Sequence, residues 1–175
     1  MVEAETRGNS VSTSTIDPQT LANVVQLACR APSLHNSQPW RLIAQDGEVR
    51  LFLEPHRAPR ATDPTGREVL ISCGALLDHL RVAAAAAGWR ADLARFPNPN
   101  DLDHLATIDF HRAELITDAA RARADAILRR RTDRLPFAVP AGWPFIEQMM
   151  RAAVDPEIAT LYVLPDSVRP QLAEA

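Results

Sequence analysis

The stretch Arg30-Ala-Pro-Ser-Leu-His-Asn-Ser-Gln-Pro-Trp40 decides how the rest of this chain is interpreted. It follows apolar residues at helical spacing and precedes a β-type run, so it links a helix to a strand. Pro32 and Pro39 stiffen the segment, and the hydroxyl and amide side chains between them supply uncharged donors and acceptors. Two interpretations are open: a structural turn, or a loop that presents fixed hydrogen bonds to a flat polar heterocycle.

The elements on either side of this stretch have clear local signals. Asp17 can cap a helix whose first turn accommodates Pro18. After the loop, two β-type runs at 40–45 and 48–54 are joined by Asp46-Gly47, which predicts a hairpin.

The rest of the chain is organised around one long apolar helix, predicted from Arg67 to Ala87 and ended by Gly88. Its apolar residues cover more than one face, so we expect it to lie deep in a core or at an interface. Asp63 is expected to cap its start. The other predicted elements are strands at 89–96, 104–111 and 158–164, helices at 117–130 and 143–153, and a helix start at Asp166.

The charge composition of the chain limits the kinds of binding partner that are expected. The 175 residues carry 19 arginines, no lysine and 22 acidic residues, with both signs mixed along the chain. Nucleic-acid and membrane-surface binders need a basic excess, so we expect neither partner. The absence of lysine indicates GC-rich coding of the actinobacterial kind. No apolar run approaches the roughly 20 residues that span a bilayer, and the polar residues 1–14 are typical of a disordered leader. These features predict a cytoplasmic protein.

Metal-binding chemistry has little support in the sequence. Cys29 and Cys73 lie in hydrophobic helical patterns and are expected to be buried free thiols. The histidines outside the loop share no short ligand spacing, so no metal site is predicted.

As a whole string, the loop resembles the Ala-Pro-Ser-x-x-Asn-x-Gln-Pro-Trp motif of the nitroreductase-like flavoproteins, with all seven defined positions matched. The resemblance implies FMN as cofactor. The residues that it assigns to the flavin are Pro32, Ser33, Leu34 and Asn36. Gln38 and Trp40 are implied to hold the loop in place. For His35, an approach to the flavin and a solvated position both remain open.

The family's phosphate-binding signature, Arg-x-Ser-x-Arg/Lys, is missing where it is expected, since residues 3–15 contain only Arg7. A relaxed version occurs much later, as Arg130-Arg-Thr-Asp-Arg134. Guanidinium groups and a hydroxyl suit a phosphate dianion. The FMN phosphate is therefore assigned to Arg130, Arg131, Thr132 and Arg134. The alternative is a basic helix end, where arginines favour the negative pole of the dipole.

A late basic motif after a complete first half is similar to the Acg-like branch, in which two halves of one chain imitate a homodimer around one flavin pocket. The stretch Asp63-Pro-Thr-Gly-Arg-Glu-Val-Leu-Ile-Ser-Cys-Gly74 also resembles that branch. The implied fold is α+β, with helices around a mainly antiparallel sheet and the long apolar helix near its centre. The expected regions are a leader at 1–14, a first half at 15–128 and an incomplete second half at 129–175. Side chains expected to be partly exposed are Phe145, Met149 and Leu161, which predicts self-association or dependence on a missing second half.

The implied function is an FMN-dependent oxidoreductase that takes hydride from NAD(P)H and reduces nitro compounds or quinones. The flavin does the chemistry in such enzymes, so no side-chain acid, base or nucleophile is required. A non-catalytic flavin-binding or sequestering protein of the Acg type is the alternative, and a degenerate fragment that binds nothing is a third. Reduction of the bound flavin by NADPH distinguishes the first two.

Overall fold

The computed structural model describes residues 15–45, 47–135, 137–138, 140–168 and 170–171. The predicted leader at 1–14 lies outside the described residues. The chain divides into two compact units, Met1–Thr132 and Asp133–Ala175, and each is described by itself.

The first unit is built on one antiparallel sheet with the strand order β1-β2-β4-β3. Its strands are β1 (Trp40–Gln45), β2 (Glu48–Leu53), β3 (Trp89–Arg95) and β4 (His104–Arg112). The predicted hairpin is confirmed: Gln45 pairs with Glu48 across the turn, and Gly47 has the positive φ of 85° that such tight turns require. The side chains of β2 alternate in burial, since Val49 and Leu51 are fully buried while Glu48 and Arg50 are half-buried.

Three helices flank this sheet: α1 (Pro18–Ala28), α2 (Arg67–Ala86) and α3 (Asp118–Arg129). The predicted cap of α1 is confirmed, since the Asp17 carboxylate accepts a 2.9 Å hydrogen bond from the backbone N–H of Thr20. Thr117 caps α3 in the same way, at 3.1 Å from the N–H of Ala120. Each cap satisfies an N–H that the first helical turn leaves unpaired.

The long helix α2 is the central helix, as predicted. It contacts α1, α3 and β3. Leu76 and Leu80 are fully buried, and they belong to the same apolar cluster as Leu51 and Ile108 of the sheet. The start of α2 is held by Asp63, whose buried carboxylate accepts a 2.9 Å hydrogen bond from the N–H of Val69.

By length and composition alone, α2 is long and apolar enough to cross a membrane. The charged residues Asp78 and Arg81 interrupt its apolar side chains. The core helix of a soluble protein passes the same test, and α2 packs its buried side against the sheet and two helices.

Both cysteines are free thiols, with Cys73 buried and Cys29 half-buried. Burial raises the pKa of the Cys73 thiol to about 12. Burial also raises the pKa of Cys29, although a hydrogen bond from Trp40 acts in the opposite direction. Both thiols therefore ionise less readily than a solvent-exposed cysteine.

The second unit contains the predicted helix α4 (Trp143–Ala153). The strand predicted at 158–164 was wrong: the chain there is a turn followed by irregular backbone. A strand needs a hydrogen-bonding neighbour, and none pairs with this segment among the described residues. Phe145 and Met149 are exposed, at 67% and 57%, as expected, and Leu161 is half-buried.

Candidate functional site

The loop between α1 and β1 is tied to α2 by a buried serine. The backbone N–H of Leu34 donates to Oγ of Ser72 over 3.1 Å, and the Ser72 hydroxyl donates to the carbonyl of Glu68 over 2.8 Å. Inside the loop, the N–H of Gln38 donates to Oγ of Ser33 over 3.0 Å. A one-turn 3-10 helix at Leu34–Asn36 results.

The backbone of this loop is held in an uncommon conformation. His35, Asn36 and Gln38 have φ values of 50°, 56° and 48°. Asparagine tolerates this left-handed region better than most residues, whereas histidine and glutamine adopt it at a cost. Three such residues in four positions persist only because the surrounding contacts enforce them, and such strain is concentrated at binding and catalytic sites.

An open groove of about 270 Å³ lies between the loop and the N-terminal half of α2. It is lined by Pro32, Ser33, Leu34, Glu68, Ile71, Ser72 and Ala75. The structure thus brings three of the four predicted flavin contacts into one groove. The fourth, Asn36, is exposed on the same loop, and its side chain makes no hydrogen bond with the described residues.

The sequence analysis did not predict that residues of α2 would line the groove. Ser72 was part of a recognised Ser-Cys-Gly string, but no role was assigned to it. The available signal was a small hydroxyl residue on the apolar face of a long helix, where a polar group needs a partner.

The basic motif begins beside the loop. Nη2 of Arg130 donates to the carbonyl of Arg30 over 3.1 Å, and Arg30 in turn reaches the carbonyl of Leu128 at the end of α3 over 3.4 Å. Arg30 immediately precedes the loop motif. The contact therefore joins two segments that are 100 residues apart in sequence.

The other members of the basic motif are placed differently. Oγ1 of Thr132 accepts a 3.2 Å hydrogen bond from Nη1 of Arg130. Arg131 is used as a helix-end cation, because its Nη1 donates to the carbonyl of Leu128 over 2.8 Å. Arg134 belongs to the second unit, and its side chain forms no hydrogen bond or ion pair with the described part of the chain. The helix-end interpretation therefore fits Arg131, and the phosphate assignment of the motif stays a prediction.

Three buried side-chain polar atoms have no hydrogen-bond partner among the described residues: Nε of Arg130, Oγ of Ser37 and Nδ1 of His79. His79 of α2 lies close to Arg130. Burial lowers the pKa of His79, the carboxylate of Asp78 raises it, and the charge of Arg130 lowers it further. The lowered pKa of His79 favours its neutral form beside the Arg130 guanidinium.

Replacing Ser72 with alanine is expected to free the loop from α2. Two hydrogen bonds are lost, each worth about 0.5–1.5 kcal/mol, and exchange of the Leu34 amide with solvent should accelerate. Amide hydrogen exchange measured by NMR checks this. The Ser33→Ala variant serves as a crossed control, since it should accelerate exchange at Gln38 instead. Unchanged protection of Leu34 in Ser72→Ala would show that the loop is held by other contacts.

No family model matches the chain, but curated relatives do. The chain is 57% identical over 155 residues to a Mycobacterium tuberculosis protein named as a candidate NAD(P)H nitroreductase, acg. It is 52% identical over 159 residues to an uncharacterized protein of the same species, Rv3127. Each match covers 89% of this chain but 47% and 46% of the relative. The chain therefore spans about half the length of the curated relatives it matches.

Solved structures show weaker likeness. A candidate nitroreductase from Desulfovibrio desulfuricans, crystallised with FMN, is 13% identical with a TM-score of 0.48, covering 88% of this chain and 90% of that one. A nitroreductase family protein from Clostridium novyi is 16% identical with a TM-score of 0.46, covering 61% and 81%.

The sequence relatives decide the family. Their identity of more than half extends over nearly the whole chain, which agrees with the match at every defined position of the loop motif. The α+β architecture with a central apolar helix is the one expected for that family. The chain belongs to the nitroreductase-like family, in its Acg-like branch.

Proposed function

We propose that this chain is part of an FMN-binding oxidoreductase that uses NAD(P)H to reduce nitro compounds or quinones in the cytoplasm. The observation that carries the proposal is the 3.1 Å hydrogen bond from Arg130 to the carbonyl of Arg30. It brings the start of the predicted phosphate motif next to the start of the predicted flavin loop. Neither motif alone supports FMN as strongly as their contact.

The residues at the loop suit one edge of a flavin. The groove offers the apolar side chains of Pro32, Leu34 and Ile71 to a flat ring. The Asn36 amide carries donors and an acceptor that no described residue occupies. Because the Ser33 hydroxyl accepts a hydrogen bond from Gln38, its own proton remains available for a ring or ribityl oxygen.

At the basic motif, the groups present are those that bind a phosphate. Arg130 places a guanidinium and Thr132 a hydroxyl within 3.2 Å of each other, and the buried Nε of Arg130 lacks a partner among the described residues. We propose that a phosphate dianion accepts hydrogen bonds from this pair and from Arg131, and that Arg134 adds a further charge.

In this proposal the flavin supplies the redox chemistry by accepting hydride from NAD(P)H and passing electrons to the substrate. The protein binds and orients it. The rigid loop fixes the hydrogen-bonding edge, and the open groove leaves room for NAD(P)H and the oxidised substrate in turn. The accompanying domain proposal is a first half at 15–128 and the beginning of a second at 129–175, with the pocket completed by a second copy or a further segment.

The test is a visible absorption spectrum after incubation with excess FMN and desalting. We expect retained flavin, bleached by NADPH without oxygen and restored by a nitroarene. Asn36→Ala should weaken FMN binding, by about 0.5–1.5 kcal/mol for each hydrogen bond lost. Asn100→Ala, an exposed amide in the β3–β4 connection, is the matched control. If flavin is retained but NADPH does not bleach it, the chain sequesters flavin and is not an oxidoreductase. A colourless protein would contradict flavin binding by this chain.

A further inference from the structure

A second cavity of about 470 Å³ lies in the first unit, away from the loop. It is open to solvent on one side and is lined by the C-terminal half of α2, the first residues of β3 and the N-terminal half of α3. Cavities of 300–1,000 Å³ are of the size that accommodates small-molecule ligands. No residue lines both this cavity and the groove beside the loop.

Both helices contribute small side chains to the lining of this space. Ala85 of α2 and Ala120 of α3 both line the cavity. Packed helix interfaces are normally filled to crystal-like density by larger residues. The larger apolar contacts of α3 come from Ile127, further along the helix, which is buried. The N-terminal half of α3 thus leaves an opening over α2.

Charged groups from three different elements line this opening: Arg81 of α2, Arg90 of β3 and Arg123 of α3. Arg90 is already neutralised, because its Nε and Nη2 donate to the Asp92 carboxylate over 3.0 and 2.9 Å. Arg81 and Arg123, in contrast, form no hydrogen bond or ion pair with any residue that the structure describes. Two solvent-exposed guanidinium groups on neighbouring helices therefore line one cavity, and neither forms an ion pair with Asp78, the acidic residue of the same lining.

We propose that this cavity binds a small phosphorylated molecule, up to the size of a mononucleotide, through Arg81 and Arg123. Guanidinium forks donate paired hydrogen bonds to phosphate oxygens. The remaining charged residue of the lining, Asp78, supplies carboxylate oxygens that accept hydrogen bonds from ligand hydroxyl groups. The ligand class is thus an organic phosphate with a hydroxylated body.

This site is separate from the proposed flavin groove along α2. The groove uses Ser72 and its neighbours, whereas the cavity uses Arg81 and Val82. At 1.5 Å per residue, Ser72 and Val82 are about 15 Å apart along the helix. Binding at the cavity therefore does not depend on the proposed function, and either can be wrong without the other.

Isothermal titration calorimetry of the full 175-residue chain with adenosine 5′-monophosphate, at constant ionic strength, tests the proposal. We expect saturable binding that weakens about tenfold in Arg81→Gln and in Arg123→Gln. Arg121→Gln is the matched control, because Arg121 lies on the same helix, pairs with Asp118 and does not line the cavity. That variant should retain affinity within twofold. Adenosine without the phosphate should bind at least tenfold more weakly than the monophosphate.

Three results would overturn the proposal. If adenosine 5′-monophosphate shows no saturable binding, the cavity is not a phosphate-binding site. An equal loss in Arg121→Gln shows that general charge attraction, not the cavity, holds the ligand. Equal binding of adenosine and its monophosphate shows that the arginines do not recognise phosphate. Circular dichroism of each variant establishes that a loss of binding does not come from unfolding.

Discussion

Replacing Leu76 with alanine is expected to lower the free energy of unfolding by about 2–5 kcal/mol, the usual cost of truncating a buried leucine. Leu76 is fully buried at the middle of α2, within the apolar cluster that joins this helix to the sheet. The loss combines the transfer energy of the deleted carbons with that of the cavity left behind. Because small domains are stable by only about 5–15 kcal/mol, this single change removes a large part of the total.

Chemical denaturation followed by tryptophan fluorescence measures this effect. Trp40 and Trp89 are buried in the first unit, so a Trp143→Phe background restricts the signal to that unit. Ile71→Ala is the matched control, since Ile71 lies on the same helix but is 62% exposed. Its effect should stay within about 0.5 kcal/mol, as for other surface substitutions. Equal losses in the two variants would show that α2 is not the centre of the core.

Replacing Arg134 with alanine is expected to weaken FMN binding by about 1.5–3 kcal/mol, which corresponds to roughly 10- to 150-fold in the dissociation constant. This range applies to hydrogen bonds with a charged partner, here the FMN phosphate. Riboflavin lacks that phosphate, so its affinity should not change. Arg134 suits this test because it contributes no hydrogen bond or ion pair to the described structure, and its removal should leave the fold intact.

Fluorescence quenching of FMN and of riboflavin, titrated in parallel, provides the measurement. Arg129→Ala removes a neighbouring exposed arginine at the end of α3 and controls for general charge. Its FMN affinity should remain within about twofold of the parent chain. Equal affinity of the parent for FMN and riboflavin would contradict the phosphate role of Arg130, Arg131, Thr132 and Arg134 together.

Local chemistry allowed most of the first unit to be predicted. The hairpin depends on a turn that needs a positive φ at Gly47, and the start of α1 depends on a carboxylate that reaches the N–H of Thr20. Both interactions involve residues close in sequence, so the pattern contains the information. The strand predicted at 158–164 failed for the opposite reason. Its pairing partner has to come from elsewhere, and residue types alone do not indicate whether one is present.

The candidate site shows the same difference between local features, which the sequence predicted, and long-range contacts, which it did not. The loop motif, the FMN expectation and the family were all available from the sequence, because a specific string of side chains carries them. The sequence did not show that Ser72 holds the Leu34 amide, nor that Arg130 reaches the Arg30 carbonyl. These bonds join residues 38 and 100 positions apart.

By itself, then, the sequence determined the family, the order of the elements and the two motifs that carry the proposed chemistry. Only the tertiary structure decided which groups come together: the Leu34 amide with Ser72 in the N-terminal half of α2, and Arg130 with the carbonyl of Arg30. It also placed Arg81 and Arg123 in the lining of one cavity. The physical reason is that capping and turn formation act over a few residues. Packing of α2 against α1, α3 and the sheet places distant residues together only once the core has formed.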